Sequence, residues 1–283
     1  MNAIEIKGLT KKFKSRKESG FELSNINFTL PCGCILGLVG ENGAGKSTTI
    51  KLILEIINKD SGSIRILGRD SIRYCKEDVG IVMDEVGFPG CLNSKQIGKI
   101  MKNMYKNWNA EVYEEYLRKF SLNTPKRFGE YSKGMKMKLG MAVALSHDPK
   151  LLILDEATAG LDPVIRDYLL DIFTEFTRDE RHSILISSHI VSDLEKVCDY
   201  IAFINNGKMM LCEEKDKLYE QYCVVHCSRE DYEAINGHAV LGKKENPYGV
   251  NAIVRRDAVP SHLTASPIDI EELFVFMVKG GRQ

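Results

Sequence analysis

Glycines at 40, 43 and 45 stand just ahead of Lys46, Ser47 and Thr48 in the run Gly40-Glu41-Asn42-Gly43-Ala44-Gly45-Lys46-Ser47-Thr48. That is G-x-x-x-x-G-K-[ST], a spacing suited to gripping a chain of phosphates. The glycines let the backbone turn tightly and bring its N–H groups close to anionic oxygens. Lys46 supplies a point charge for the terminal phosphates, and the Ser47 hydroxyl can hold a magnesium ion. The flanks agree: Ile35-Leu36-Gly37-Leu38-Val39 reads as a buried strand, and Thr48 to Ile57 as a helix with its positive N-terminus toward the phosphates.

A second group of chemistry-bearing residues lies at Leu151-Leu152-Ile153-Leu154-Asp155-Glu156. Four apolar residues predict a central strand, and two carboxylates leave its C-terminal end, where open α/β sheets place ligands. Asp155 suits a magnesium ion, held directly or through water; Glu156 would polarise the water that attacks a γ-phosphate. His189 follows Ile186-Ser187-Ser188, just past another strand end, which suits a γ-phosphate sensor.

The elements that must position these groups follow from periodicity. Residues 1 to 30 alternate apolar and polar side chains in short runs such as Ala3-Ile4-Glu5-Ile6 and Leu23-Ser24-Asn25-Ile26, a β-rich entry unit that Ser63 to Leu67 joins. From about Leu92 to Leu145 the pattern turns helical, with Ile97, Ile100, Met101 and Met104 at three- and four-residue intervals, and a further helix opens near Ser132. The strand at 151–154, a helix over about 163–178 and the strand Ser183 to Ser187 form a β-α-β crossover, the mark of a parallel sheet. Ile201 to Met209 reads as a hairpin with an Asn206-Gly207 turn. Past about Leu218 short strands (Cys223 to His226, Val250 to Val254) precede a last helix expected to be capped by Ser266, with Pro267 in its first turn, Asp269 completing the capping pattern and Gly280 just beyond its end. The expected organisation is a domain over residues 1–217 and a small accessory domain over 218–283.

Bulk properties narrow the function. Lysine plus arginine and aspartate plus glutamate both total 39 in 283 residues, so no general electrostatic grip on nucleic acid is expected. The cluster Lys11, Lys12, Lys14, Arg16 and Lys17 reads as a solvated loop. No apolar run approaches the ~20 residues that span a bilayer, no secretory leader is legible, and eight cysteines fit reduced thiols, so a cytoplasmic location is expected. Cys32-x-Cys34 and Cys223-x-x-x-Cys227 lack a well-spaced second pair and are read as incidental rather than metal-binding.

Together these motifs, in this order, resemble the nucleotide-binding subunit of an ATP-binding cassette (ABC) transporter over residues 3 to about 215. The resemblance implies an α/β fold of the P-loop NTPase, ABC-type class: a β-rich N-terminal subdomain, a mixed, largely parallel core sheet and a helical insert, here with a small C-terminal α+β appendage. It implies Phe13 as the aromatic on adenine, Gly40 to Thr48 as phosphate loop, Asp155 and Glu156 as magnesium and catalytic carboxylates, Ala159-Gly160-Leu161-Asp162 as a dimer-contact loop, and His189 as the switch histidine. Tyr131-Ser132-Lys133-Gly134-Met135 stands at the family's signature, usually Leu-Ser-Gly-Gly-Gln; Ser132, Lys133 and Gly134 would there close over ATP held by a second subunit. Lys133 and Met135 depart from that pattern. Lys133 either adds an attractive charge near the partner's γ-phosphate or obstructs closure. Asp84 stands where glutamine is usual, within reach of magnesium through water, and Ala157 replaces a proline.

The implied activity is ATP hydrolysis with Mg2+, in a dimer of two ATPase subunits that drives a separate transmembrane permease from the inner face of the cell membrane. General family likeness and the absence of a substrate-binding domain favour export. A soluble ABC ATPase not coupled to transport, whether ribosome- or DNA-associated or regulatory, is the alternative. It is disfavoured by the single cassette and by a helical insert too short for a coiled coil. A GTP switch would need an Asn-Lys-x-Asp base-reading motif after a later strand, and Asn58-Lys59-Asp60-Ser61 has neither that spacing nor that position. The C-terminal segment is left open between dimer support, regulation and added surface.

Overall fold

The computed structural model describes residues 1–13 and 20–280; Lys14, Arg16 and Lys17 of the basic cluster fall outside them. Thirteen strands and nine α-helices, with five short 3-10 turns between them, follow one another among the described residues. The N-terminal part holds β1 (Asn2–Lys12), β2 (Glu22–Pro31), β3 (Ile35–Val39), α1 (Lys46–Ile53), β4 (Ser61–Ile66) and β5 (Val79–Val82). The helical insert holds α2 (Ser94–Met104), α3 (Ala110–Lys119) and α4 (Lys133–Leu145). Then come β6 (Leu151–Asp155), α5 (Pro163–Phe176), β7 (Ser183–Ser188), α6 (Val191–Val197), β8 (Tyr200–Asn205), β9 (Lys208–Glu214) and α7 (Lys215–Gln221). The C-terminal part comprises β10 (Tyr222–Cys227), α8 (Arg229–Ala234), β11 (Val240–Asn246), β12 (Gly249–Arg255), β13 (Ala265–Ser266) and α9 (Ile270–Gly280).

Three sheets organise these elements. The six-stranded core sheet runs β5-β6-β7-β3-β8-β9, parallel except for the β8–β9 hairpin at its edge. Every residue of β3, β6 and β7 is buried, because helices or a second sheet cover both faces of a parallel sheet. An antiparallel sheet, β2-β1-β4, packs beside it; buried and exposed residues alternate along much of β2, as one covered face requires. With β6, β7 and β3 adjacent and parallel, their carboxyl ends share one edge. The phosphate loop, the Asp155-Glu156 tip and His189 therefore meet there by topology.

Local chemistry explains the helix starts. Asn93 and Gln96 form a reciprocal capping box at α2, and Asp162 accepts the Ile165 N–H at 3.0 Å ahead of Pro163, the first residue of α5. Two expected boundaries are corrected. The helix after the phosphate loop spans Lys46–Ile53 rather than starting at Thr48, because left-handed Gly45 (φ 116°) hands the chain directly into it. The last helix starts at Ile270, with Asp269, not Ser266, accepting the Glu272 N–H. The backbone of Ser266 is committed to β13, paired with Val224, so Pro267 precedes the helix, and Gly280 lies within it rather than beyond it.

The C-terminal sheet, β11-β12-β10-β13, is amphipathic in both directions. Cys223 and Val225 of β10 face a local core with Val250, Ala252 and Val254, whereas Val224 faces the main core with Ile253, Leu273 and Phe274. Alternation by one residue puts neighbouring side chains on opposite faces. Phe274 of α9 meets Phe203 of β8 with ring centroids 5.2 Å apart. Glu195 of α6 accepts from the Tyr219 hydroxyl at 2.7 Å and the Ile270 N–H at 3.1 Å. The appendage is thus packed onto the core sheet's helices, and residue 218, the expected boundary, lies inside α7.

Candidate functional site

The phosphate loop leaves β3 at Val39 and enters α1 at Lys46. Gly40 is required by crowding: a Cβ there would lie 2.5 Å from the Ile204 carbonyl oxygen. Its carbonyl accepts from Lys46 Nζ at 2.7 Å, and the Glu41 carbonyl accepts from the same ammonium at 3.3 Å, so Lys46 arches back across the loop. A cleft of about 460 Å³ opens above, lined by Glu41, Asn42, Gly43 and residues 45–48, with Phe21, Asp84 and Glu156 at its walls. Ala44 is buried rather than lining it, its N–H bonded to the Glu41 carbonyl at 3.1 Å.

The acidic tip is buried beside the loop. Asp155 is 2 % exposed, and its Oδ1 accepts from Ser47 Oγ at 3.1 Å and from Ser187 Oγ at 2.6 Å. A hydroxyl and a carboxylate oxygen so close together are hard donors suited to Mg2+, which takes one or two carboxylates and completes its shell with water and phosphate. Ser187 holds the carboxylate's orientation; an apolar strand ending in serine gave no specific signal for this role.

Glu156 has a left-handed backbone (φ 52°), a conformation costing a non-glycine residue about 1–3 kcal/mol. Its N–H is tied to Ser187, 3.1 Å from the carbonyl and 3.2 Å from Oγ, and its carbonyl accepts from the Ala159 N–H at 3.0 Å. The turn leaves Oε1 3.1 Å from Lys46 Nζ and Oε2 2.7 Å from His189 Nδ1. A carboxylate only accepts, so the imidazole proton faces it on Nδ1. Lys46, Glu156 and His189 therefore form one contiguous chain of charged and polar groups at the cleft.

The signature segment lies elsewhere. Ser132 caps α4, its Oγ accepting the Met135 N–H at 3.3 Å, which leaves its O–H free to donate outward. Ser132 and Lys133 are exposed, and none of Ser132, Lys133 or Gly134 lines the phosphate cleft. A Cβ on Gly134 would meet nothing closer than Leu161 at 3.4 Å, so its own chain does not demand glycine there. The Lys133 ammonium pairs with Asp84 at 2.6 Å, and Asp84, Val86, Lys133 and Lys136 line a second cleft of about 400 Å³. Phe13 is exposed at the end of the first described segment, its ring 6.1 Å from that of Phe21. It is Phe21, not singled out by sequence reasoning, that walls the phosphate cleft.

With this geometry in hand, comparison with known proteins is specific. The family model described as "ABC transporter" matches residues 23–159. The chain is 37% identical over 215 residues to the lantibiotic transport ATP-binding protein SrtF of Streptococcus pyogenes, covering 75% of this chain and 91% of that one. It is 34% identical over 212 residues to the bacitracin transport ATP-binding protein BcrA of Bacillus licheniformis, covering 73% of this chain and 68% of that one. A solved ATP-binding subunit of an ABC transporter superposes with a TM-score of 0.64 at 27% identity, covering 76% of this chain and 91% of that one.

Proposed function

This chain belongs to the ABC transporter family as an ATP-binding, ATP-hydrolysing subunit, and on that premise we propose that two such subunits close around two Mg-ATP molecules to drive a separate permease. The partner is a second copy or a related chain. The observation that carries the reading is Glu156, lodged between Lys46 and His189 at the mouth of the phosphate loop.

Lys46 and the loop's N–H groups hold the β- and γ-phosphates. Ser47 and Asp155 would hold Mg2+, with Asp84 reaching it through water, and the ion would supply charge neutralisation to the phosphates. Glu156 takes a proton from a water whose oxygen bonds to the γ-phosphorus while the bond to the ADP oxygen breaks. His189 is aligned by its Nδ1 bond to Glu156, which turns its other nitrogen toward the γ-phosphate. Phe13 stacks on the adenine.

Ser132, Lys133 and Gly134 act in trans on the partner's ATP. Two features support this: the Ser132 hydroxyl faces outward, and Gly134 is spared of side chain without need from its own fold. Each charge-assisted bond to phosphate contributes about 1.5–3 kcal/mol, so losing several on hydrolysis reopens the dimer.

Among the described residues no helix is long and apolar enough to cross a membrane. The subunit works on the cytoplasmic face through its permease, with exposed Ile100 and Met104 of α2 as apolar contact surface. Relatives named for lantibiotic and bacitracin transport support a transport role; its direction is read as export, with cargo chosen by the permease and no nucleic acid as partner. Residues 1–217 act as the ATPase domain and 218–283 as an accessory domain.

Calorimetry on Lys46→Ala tests the reading: Mg-ATP binding is expected to weaken by at least tenfold, as loss of a charged phosphate contact implies. Undiminished affinity overturns it.

A further inference from the structure

Two of the chain's departures from the family pattern, Asp84 and Lys133, lie far apart in sequence yet carry opposite charges that meet at 2.6 Å. Of the groups named so far, Asp84 alone lines both clefts: the phosphate cleft of its own chain and the one beside the start of α4. Lys133 belongs to the segment that faces outward, and a Cβ on Gly160 would lie 3.9 Å from the Lys133 stem. Gly160 in turn follows the tight turn that the Ala159 N–H to Glu156 carbonyl bond closes, and lies in the next one, closed by the Leu161 N–H on the Thr158 carbonyl at 3.4 Å. One pair therefore touches the wall of the ATP cleft, the signature helix and the loop carrying the catalytic carboxylate.

The pair is also exchangeable. Both side chains are about half exposed, and an ion pair in such a setting is weak compared with bonds to a phosphate or metal. While the two charges neutralise each other, Lys133 has an anion at hand and gains less from a second subunit's γ-phosphate. Turning Asp84 toward a magnesium-bound phosphate removes that anion. Lys133 then loses its 2.6 Å partner and keeps Glu85 as the one other carboxylate lining that cleft, beside the Ser132 hydroxyl at the start of α4.

We propose that the Asp84–Lys133 pair is a positioning contact that makes each subunit's grip on its partner's ATP depend on its own bound Mg-ATP. This rests on the sandwich dimer proposed above. It resolves the role of Lys133: the ammonium attracts the partner's phosphate once released, and it is held back until then.

The test is sedimentation of the full chain carrying Glu156→Gln, which preserves ATP, titrated with Mg-ATP. The parent is expected to dimerise steeply, with a Hill coefficient approaching about 2. Adding Asp84→Asn frees Lys133 permanently, so the dependence flattens toward a coefficient of about 1. Adding Lys133→Ala instead weakens the dimer at saturating Mg-ATP by about tenfold or more, and Lys133→Arg restores it. A structural role alone would not change the steepness. A parent that fails to dimerise overturns the sandwich and this inference together. A parent that dimerises while Asp84→Asn leaves the curve as steep, or Lys133→Ala leaves the dimer as tight or tighter, overturns the pair alone.

Discussion

The two halves of the ATP machinery are built differently within one chain. At the phosphate loop, Lys46, Asp155 and Glu156 are 5, 2 and 9 % exposed, and Gly40 admits no Cβ. At the signature edge, Ser132 and Lys133 are exposed and Gly134 has room for a methyl. The first half is finished by intramolecular packing; the second exposes the Ser132 side chain, while the Lys133 ammonium is paired with Asp84. A binding half can be preorganised by its own core, whereas in the proposed sandwich a closing half would stay incomplete until a partner supplied the anion.

The sharpest way to separate the halves is Glu156→Gln. Turnover is expected to fall by about 10²–10⁴, the contribution of a general base, while ATP binding and dimerisation persist. A steady-state ATPase assay beside calorimetry reads both, and undiminished turnover removes Glu156 from the role. Next in size is Ser187→Ala. It strips the 2.6 Å bond that orients Asp155, and loss of such an outer-shell partner costs about 10–100-fold in metal affinity. A magnesium titration of ATPase activity should shift accordingly; an unmoved midpoint would mean Ser47 alone orients the carboxylate.

A matched pair of glycine substitutions then tests the contrast itself. Gly40→Ala forces a methyl against the Ile204 carbonyl and should destabilise the fold by about 1–3 kcal/mol, seen as a lower Tm. Gly134→Ala should leave stability unchanged or raise it by up to about 1 kcal/mol, since alanine favours helix. Yet it should slow ATPase turnover, because in the proposed dimer the methyl would stand where the partner's phosphate approaches. If both variants lose stability and neither loses specific activity, the division between a packed and an open half is wrong.

What was legible in the sequence follows the same division. The phosphate loop and the acidic strand tip were readable because their chemistry demands rare residue types at fixed spacing, and because strands buried on both faces appear as unbroken apolar runs. The start of α9 was not readable: Ser266-Pro267 is a good local cap, but pairing of Ser266 with Val224 overrides it. Ser187 carries no distinguishing neighbour, and its importance appears only once β7 lies beside β6. The Asp84–Lys133 contact was hidden because each residue looked like an isolated departure, and only the approach of α4 to the end of β5 joins them.

The smallest expected effect concerns the aromatic wall, where sequence reasoning chose Phe13 and the structure adds Phe21. The two rings are tilted by 40° at 6.1 Å, and the Phe13 N–H donates to the Phe21 carbonyl at 3.0 Å. Phe21 also backs the loop: its Cζ lies 3.2 Å from where a Cβ on Gly45 would be. Phe13 is 39 % exposed, with the Lys11 ammonium 6.0 Å from its ring centroid. Aromatic stacking is worth about 0.5–1.5 kcal/mol, so Phe13→Ala should weaken ATP by about 2–12-fold. It should leave inorganic tripolyphosphate binding unchanged, because that ligand has no base to stack. Phe21→Ala, which loosens the wall of the phosphate cleft, should weaken both ligands. If Phe21→Ala instead spares tripolyphosphate and Phe13→Ala spares ATP, the adenine rests on Phe21, and the base belongs to the packed half of the site rather than to its open edge.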